Sequence, residues 1–332
     1  MHIIAVDAMG GDHAPQSTVQ GSVEALRAYG DLRILLVGQE EKLAPLLQDA
    51  GDVRDRLEIV DAREVISNNE SPVMAIRQKT DASLVRAFAL VREGRAQALV
   101  SAGSTGAVMA GGMFRLGRIE GVERPALATP IPTAGGGQTL LLDSGANVDC
   151  QGAWIAQFAR MGAVYARQVL GVKNPRVGLL NIGEEEEKGN RQTKEAGALL
   201  KETGLNYVGN VEARAIPMGE ADVVACDGFA GNVALKAMEG ITKALFDLLR
   251  QELTANSRTK LGAALVKPAL RRIKKRMNAE EIGGVPMLGV SGAVVKAHGN
   301  SSAKAFFSAV RQAYRMLEGN VTDIIRSELQ DV

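Results

Sequence analysis

The 332 residues include 46% hydrophobic and 23% charged side chains, a balance that supports a large buried core and excludes disordered and coiled-coil classes. Lys and Arg number 39 against 38 Asp and Glu, a net charge of +1, so no whole-molecule field draws the chain to nucleic acid, and 4% aromatic residues leave few platforms for stacked bases. Two cysteines, Cys150 and Cys226, stand outside any CxxC or Cys/His pattern, so buried thiols in a reducing cytoplasm are expected rather than a zinc site or a disulfide framework.

Short apolar runs alternate with longer helical patterns, the signature of βα units building a parallel sheet. Strands are predicted at residues 3–6, 33–37, 57–60, 98–100, 140–142, 177–181 and 223–225, and a long helix at about 231–252. The chain start has neither the basic segment nor the long apolar core of a secretory signal, and the uncharged stretch 96–114 is broken by four glycines, against a membrane span. Five strands run into polar or glycine-rich loops at 7–15, 101–106, 143–149, 183–190 and 227–232. Ligands of open α/β sheets bind beyond strand carboxyl ends, so these loops are expected to meet in one crevice.

The first loop places Asp7, Gly10, Gly11, Asp12 and His13 directly after a strand. His13 reads either as a general acid or base, its reference pKa being ~6.5, or as a hydrogen-bonding loop residue. The second loop, with Gly103, Ser104, Thr105 and Gly106, precedes a helix-compatible run at 107–116 and reads as an anion cradle at a helix start or as an ordinary tight turn. It is not a Walker A loop, and no GxGxxG follows the first strand. Asn147 and Asp149 on the third loop fit turn chemistry or ligand contacts equally.

In the fourth loop, Glu184 to Glu187 precede Lys188 and Gly189. A solvated acidic loop, a divalent-metal site and an anion-binding Lys188 all remain open there. Asp227, Gly231 and Asn232 lie where the long helix starts, so Asn232 either caps that helix or touches substrate. With three histidines in the chain, His298 among them in the last polar loop, no metal triad is expected.

Between about 253 and 278 apolar residues Leu261, Leu265, Ala269, Leu270, Ile273 and Met277 recur at three- and four-residue steps, and Arg271, Arg272, Lys274, Lys275 and Arg276 take other faces. This basic amphipathic pattern suits an acidic protein or an anionic membrane surface. Pro268 predicts two helices or a kink.

Six ordered motifs together carry a family resemblance. They are Asp-Ala-Met-Gly-Gly-Asp-His-Ala-Pro from Asp7, Ser-Ala-Gly-Ser-Thr-Gly-Ala from Ser101, Gly-Ala-Asn-Val-Asp from Gly145, Asn-Ile-Gly-Glu-Glu-Glu-Glu-Lys-Gly-Asn from Asn181, Asp-Gly-Phe-Ala-Gly-Asn-Val from Asp227 and Val-Lys-Ala-His-Gly from Val295. Over essentially the whole chain this resembles the bacterial phosphate acyltransferase family PlsX. The resemblance implies a Rossmann-like α/β/α sandwich over residues 1–332, with a mostly parallel doubly wound sheet and a protruding basic helical excursion at 253–278.

It also implies synthesis of acyl phosphate from acyl-acyl-carrier-protein and inorganic phosphate, without a cofactor or metal, at the entrance to phospholipid synthesis. A cytoplasmic homodimer peripherally attached to the cell membrane is implied, feeding a membrane glycerol-3-phosphate acyltransferase. Lys188 and Asn232 are the implied catalytic residues. Asp7, Gly10, Gly11, His13, Gly103, Ser104, Thr105, Gly106, Asn147, Asp227, Gly231 and His298 are implied around substrate and phosphate, although the family commonly has Asn where this chain has Ser104. Leu261, Leu265, Arg271, Arg272, Ile273, Lys274, Lys275 and Arg276 are the expected membrane or carrier contacts. Competing expectations are a phosphotransacetylase-like enzyme using acyl-CoA, a dehydrogenase of the isocitrate dehydrogenase-like fold group, and a non-enzymatic membrane scaffold.

Overall fold

A computed structural model describes residues 1–277 and 283–330, with the side chains of Lys275 and Met277 outside the described set. The strands are β1 (His2–Asp7), β2 (Leu32–Gly38), β3 (Leu57–Asp61), β4 (Ala98–Ser101), β5 (Ala126–Pro132), β6 (Gln138–Leu142), β7 (Val177–Asn181), β8 (Tyr207–Glu212), β9 (Val223–Ala225), β10 (Val285–Leu288) and β11 (Ala293–Lys296). The α-helices are α1 (Gln16–Ala28), α2 (Glu40–Leu43), α3 (Pro72–Gln78), α4 (Ser83–Arg92), α5 (Thr105–Gly111), α6 (Gly152–Gln168), α7 (Arg191–Glu202), α8 (Gly228–Leu253), α9 (Ser257–Met277), α10 (Ala303–Glu318) and α11 (Val321–Gln330).

All strands join one sheet in the order β3-β2-β1-β4-β11-β10-β5-β6-β9-β7-β8. Strands β3, β2, β1, β4 and β11 are mutually parallel, as are β6, β9, β7 and β8. Between these blocks β11–β10, β10–β5 and β5–β6 pair antiparallel. Three reversals in succession leave the second block running opposite to the first. The blocks are offset, so the last residues of β6 and β9, Leu142 and Ala225, fall across β5 and β10 at the level of Val295 and Val100, next to the ends of β11 and β4.

The seven predicted strands are all present, and β5, β8, β10 and β11 come in addition. The sequence hides β5 because Pro130 and Pro132 remove ladder donors. The strand tolerates them because β10 pairs only with Ala126 and Leu127, which leaves the proline-bearing half a single neighbour, β6.

Strand alternation gives the sheet two unlike faces. On one, Ile4, Val6, Leu36, Val100, Ala128, Leu142, Leu179, Ala225 and Val295 form a continuous core with Phe158 and Tyr165 of α6 and Phe306 of α10. Helix α10 starts where the Ser302 hydroxyl accepts the Ala305 amide proton, and it buries Phe306, Ala309, Val310 and Ala313 at helical spacing. On the other face the core is split. Ala5, Val37, Leu99, Met287 and Val294 pack with Phe88 of α4 and Val108 of α5, whereas Leu141, Leu180 and Val224 pack with Ala230, Ala234 and Leu235 of α8. The boundary crosses β5, where Leu127 belongs to one cluster and Ile131 to the other, with Thr129 between them. The seam between the two clusters has α5 packed on one side and α8 on the other.

Helix α8 spans the predicted long helix, and α9 covers most of the basic excursion. Pro268 lies inside α9, which is assigned as one helix, so the expected division into two helices at that residue is not found. The chain breaks at Thr254–Asn256 instead. An exposed helix can hydrate the carbonyl that proline leaves without a donor. Ile241, Leu245 and Leu248 of α8 and Leu261, Leu265 and Ile273 of α9 are exposed apolar side chains, and Arg271, Arg272, Lys274 and Arg276 are exposed cations. The expected contact Lys275 lies outside the described side chains. Among the described residues no helix is long and apolar enough to cross a membrane.

Candidate functional site

Strands β1, β4 and β11 end in register, Asp7 opposite Ser101 and Ser101 opposite Lys296. Alternation puts these three side chains on the split face, beside Ala5, Leu99 and Val294. Asp7 is buried, and its carboxylate accepts the Ser83 and Ser101 hydroxyls at 2.6 Å each together with the amides of Met9 and Gly10. Burial pushes this carboxyl above its ordinary range, against the pull of those donors. Asp7 therefore braces the loops from within, its carboxylate engaged by protein donors.

Gly10 lies directly on that brace, since a Cβ there would sit 2.7 Å from the Gly103 nitrogen. Gly11 has φ of 107°, a conformation that only glycine adopts readily, and abuts the Gly299 carbonyl. The Gly103 amide donates to Ser101 Oγ at 3.0 Å. Ser104 caps α5, its Oγ accepting the Ala107 amide proton at 3.2 Å, so the hydroxyl that stands in place of the family's usual Asn is engaged with backbone. Thr105 is exposed in the first turn, and Gly106 packs against Pro72 of α3, where a Cβ would sit 2.7 Å from Pro72 Cγ. His13 and His298 are brought together through Asn300. His13 Nε2 bonds Asn300 Oδ1 at 2.6 Å, and His298 Nδ1 accepts the Asn300 amide proton at 3.3 Å.

The second block has its own buried carboxylate. Asp143 accepts backbone protons from Leu127, Gly145, Ala146 and Asn147 at 2.7–3.2 Å, and from Asn147 Nδ2 at 3.0 Å. Burial raises its pKa as well, chiefly through desolvation. Asn147 spends its side-chain amide on Asp143 and on the Pro125 carbonyl, which makes it a loop-holding residue. Gly228 donates to the Asn147 carbonyl at 2.7 Å, and Gly231 fits so closely under the Asp143 carbonyl that a Cβ would also fall 2.7 Å from Cys226 Sγ. Asp227 caps α8 by accepting the Ala230 amide proton and also accepts from Gln192 Nε2 at 2.9 Å. Asn232 is left exposed beside Gly145, where a Cβ would meet its side chain at 3.5 Å.

Lys188 lies on the neighbouring loop after β7. Its carbonyl accepts Asn181 Nδ2 at 3.2 Å, and its stem folds over Gly183. Two of the four glutamates pair with cations outside the loop, Glu186 with Lys201 and Glu184 with Arg214. Among the described residues Lys188 has no ion-pair partner, and no cluster of metal-ligating side chains occurs.

The expected approach of the loops to one another fits the register. Leu142 and Ala225 end one residue short of the level of Lys296 and Ser101, so the two sets of carboxyl ends reach the same level from opposite directions. Helix α5 follows β4, and α8 follows β9. Ala146 of the second cluster packs against the first-half core, and Lys236, one turn beyond Asn232 on α8, is close enough to Lys296 to affect its charge, as is Asp12 of the first loop. Gly10, Gly11, Gly103, His13 and His298 form one cluster, and Asn147, Asp227, Gly231 and Asn232, with Lys188 adjacent, form the other. Sequence reasoning misses Ser83, Asp143, Gln192, Lys236, Lys296 and Asn300 as site-builders. For Lys296 the missing signal is β11 itself, whose recognition would have set this lysine at a strand exit.

A split core between oppositely directed halves, with glycine loops at its strand exits, defines an α/β protein of mostly parallel sheet. The comparisons agree. Residues 2–324 match the family model described as fatty acid synthesis protein. Phosphate acyltransferases from Geobacillus thermodenitrificans and Clostridium acetobutylicum are 52% and 48% identical over 327 and 330 residues, covering 98% and 99% of both chains in each pair. A phosphotransacetylase from Streptococcus pyogenes shares the fold with a TM-score of 0.63 at 15% identity, over 97% of this chain and 94% of its own. The EutD phosphotransacetylase from Staphylococcus aureus gives 0.59 at 14% identity, over 95% and 94%. The chain belongs to the fatty acid synthesis protein family, the family of the phosphate acyltransferases.

Proposed function

We propose that this protein transfers the acyl group of acyl-acyl-carrier-protein to inorganic phosphate, making acyl phosphate for phospholipid synthesis. It is an acyltransferase, and its substrates are phosphate and an acyl donor. A phosphate oxygen forms the new bond to the thioester carbonyl carbon, and the carbon–sulfur bond breaks as the tetrahedral intermediate collapses. Phosphate needs little deprotonation, since phosphomonoesters have a second pKa of ~6, and a thiol of reference pKa ~8.5 leaves readily as thiolate. The task left to the protein is positioning and charge stabilisation. Lys188 takes phosphate charge, Asn232 donates to phosphate or to the developing oxyanion, and the amides of residues 103–106 face the anion from the first half.

The observation that carries this reading is Lys188 standing without a carboxylate partner beside four glutamates, two of which are engaged by Lys201 and Arg214. The test is incubation of the pure protein with acyl-carrier thioester, with and without phosphate, following free thiol and acyl phosphate. Lys188→Met is expected to lower turnover at limiting phosphate by about 100-fold, the size typical of losing one stabilising donor. Unchanged turnover removes Lys188 from the mechanism. Replacing the carrier thioester by acyl-CoA distinguishes the phosphotransacetylase-like alternative.

The exposed α9 cations and apolar side chains support docking of the excursion on an anionic membrane surface, with ~1 kcal/mol per well-placed Lys or Arg. A cytoplasmic homodimer held there would hand acyl phosphate to a membrane glycerol-3-phosphate acyltransferase. Flotation with anionic vesicles of a variant lacking the charges of Arg271, Arg272 and Lys274 tests this. Unchanged flotation with weakened carrier affinity assigns the helix to carrier docking instead.

A further inference from the structure

We propose that Lys296, which ends β11 beside Ser101, is a second phosphate-binding cation and helps select phosphate as the acyl acceptor. This rests on the reading that phosphate is the acceptor, and it adds a residue on the half of the molecule opposite Lys188.

Register carries the placement. Lys296 stands opposite Ser101, and Ser101 opposite Asp7, so the three side chains form a row across three adjacent strands on the split face. The row does not neutralise its own lysine. Asp7 lies two strand spacings away, ~10 Å, and its carboxylate is taken by two hydroxyls and two amides. Ser101 Oγ donates to Asp7 and accepts from Gly103. Among the described residues the Lys296 ammonium has neither a hydrogen bond nor an ion pair, although the residue is only partly exposed.

The other side of the seam adds positive charge. Lys236 of α8 opposes the Lys296 charge, and Asp12 of the first loop favours it. Lys236 is held by Glu239 at 2.8 Å. Burial, then Lys236, lowers the Lys296 pKa from its ordinary 10.5, which is the electrostatic cost that a bound dianion would relieve. A lysine serving only to pack its stem would carry its head to water or a carboxylate. This one is partly buried at the seam between the halves, within electrostatic reach of Lys236 on the helix that bears Asn232. A phosphate dianion bound there is neutralised from one half by Lys296 while the other half supplies Lys188 and Asn232.

The test uses the full chain with Lys296→Met and Lys296→Arg. Lys296→Met is expected to raise the phosphate KM about ten-fold or more, the loss of one charge-assisted contact, with the KM for acyl carrier changed by no more than about two-fold. Lys296→Arg should recover most of the loss. Independently, wild-type protein is labelled with a low dose of acetic anhydride, with and without inorganic phosphate, against potassium chloride of equal ionic strength. Mass spectrometry should show phosphate, and not chloride, protecting Lys296. A normal phosphate KM in Lys296→Met overturns the proposal, as does labelling of Lys296 that phosphate leaves unchanged. If wild-type protein releases no thiol in response to phosphate, the acyltransfer reading fails instead, and the labelling still decides whether Lys296 binds phosphate.

Discussion

Each half of the molecule builds its loops on a buried aspartate, and the two are assembled differently. Asp7 draws its hydroxyl donors from far along the chain, Ser83 and Ser101, 76 and 94 residues away. Asp143 is satisfied mainly by amides two to four residues ahead of it, with Leu127 the one distant donor. The first half thus holds its glycine loop by tertiary contact, tying β1, β4 and α4 together. The second holds its loop by a local turn, onto which α8 then docks through Gly228 and Gly231. Loss of the first brace should loosen the packing of elements, and loss of the second should loosen one loop and whatever rests on it.

Substitution at the two aspartates should expose that difference most strongly. Asp143→Ala strands several buried amides and the Asn147 side chain, and is expected to destabilise the fold by about 3–5 kcal/mol in chemical denaturation. Because Asn232 lies against Gly145, turnover should fall further than stability alone explains when measured well below the unfolding midpoint. Asp7→Ala leaves two hydroxyls and two amides without an acceptor, at a cost of about 2–4 kcal/mol. That loss should appear as faster hydrogen exchange in β1 and β4 together rather than in one loop.

Smaller effects sharpen the contrast. Ser83→Ala and Ser101→Ala are each expected to cost about 1–3 kcal/mol, and the double variant less than their sum, because both donate to one carboxylate. Additive costs would show that Asp7 does not couple α4 to β4. In the second half, Cys150 reports on the local carboxylates. Burial first, then Asp143, Asp227 and Asp149, raise its thiol to about 11, so alkylation at neutral pH should be slow and should quicken in Asp143→Asn.

The smallest effect lies at the rim of the first half. Glu70 is held from 4.5 down to about 2, first by the hydrogen bond from Lys79. A depressed carboxyl contributes stability that is complete above its unfolded value and lost as pH falls through its folded one. The stability gap between wild type and Lys79→Met should therefore be widest above pH 4.5 and close as pH approaches 2. A gap that persists at the acid end would assign Lys79 a role other than its pairing with Glu70.

Residues with strong local signals were legible. The seven predicted strands are apolar runs bounded by turn residues, and of the two readings open for the loop after Leu142, turn chemistry or ligand contacts, the amide-bonded Asp143 carboxylate supplies the turn. The strands that reverse the sheet were not legible. β10 and β11 are four residues each among glycines, and β5 carries two prolines, so no period-two pattern could mark them. Missing them concealed the reversal of the second block, and it hid Lys296.

Alternation of apolar runs with helical patterns was sufficient to determine the α/β class, because burial of each element's apolar face depends on spacing within a few residues of sequence. The ordered motifs likewise placed the chain in its family. Which way the second half runs, which serines reach Asp7, and which lysine ends without a partner were decided only by the tertiary structure. Those outcomes depend on strand pairing between segments far apart along the chain, and the direction and register of such pairs have no counterpart in local sequence.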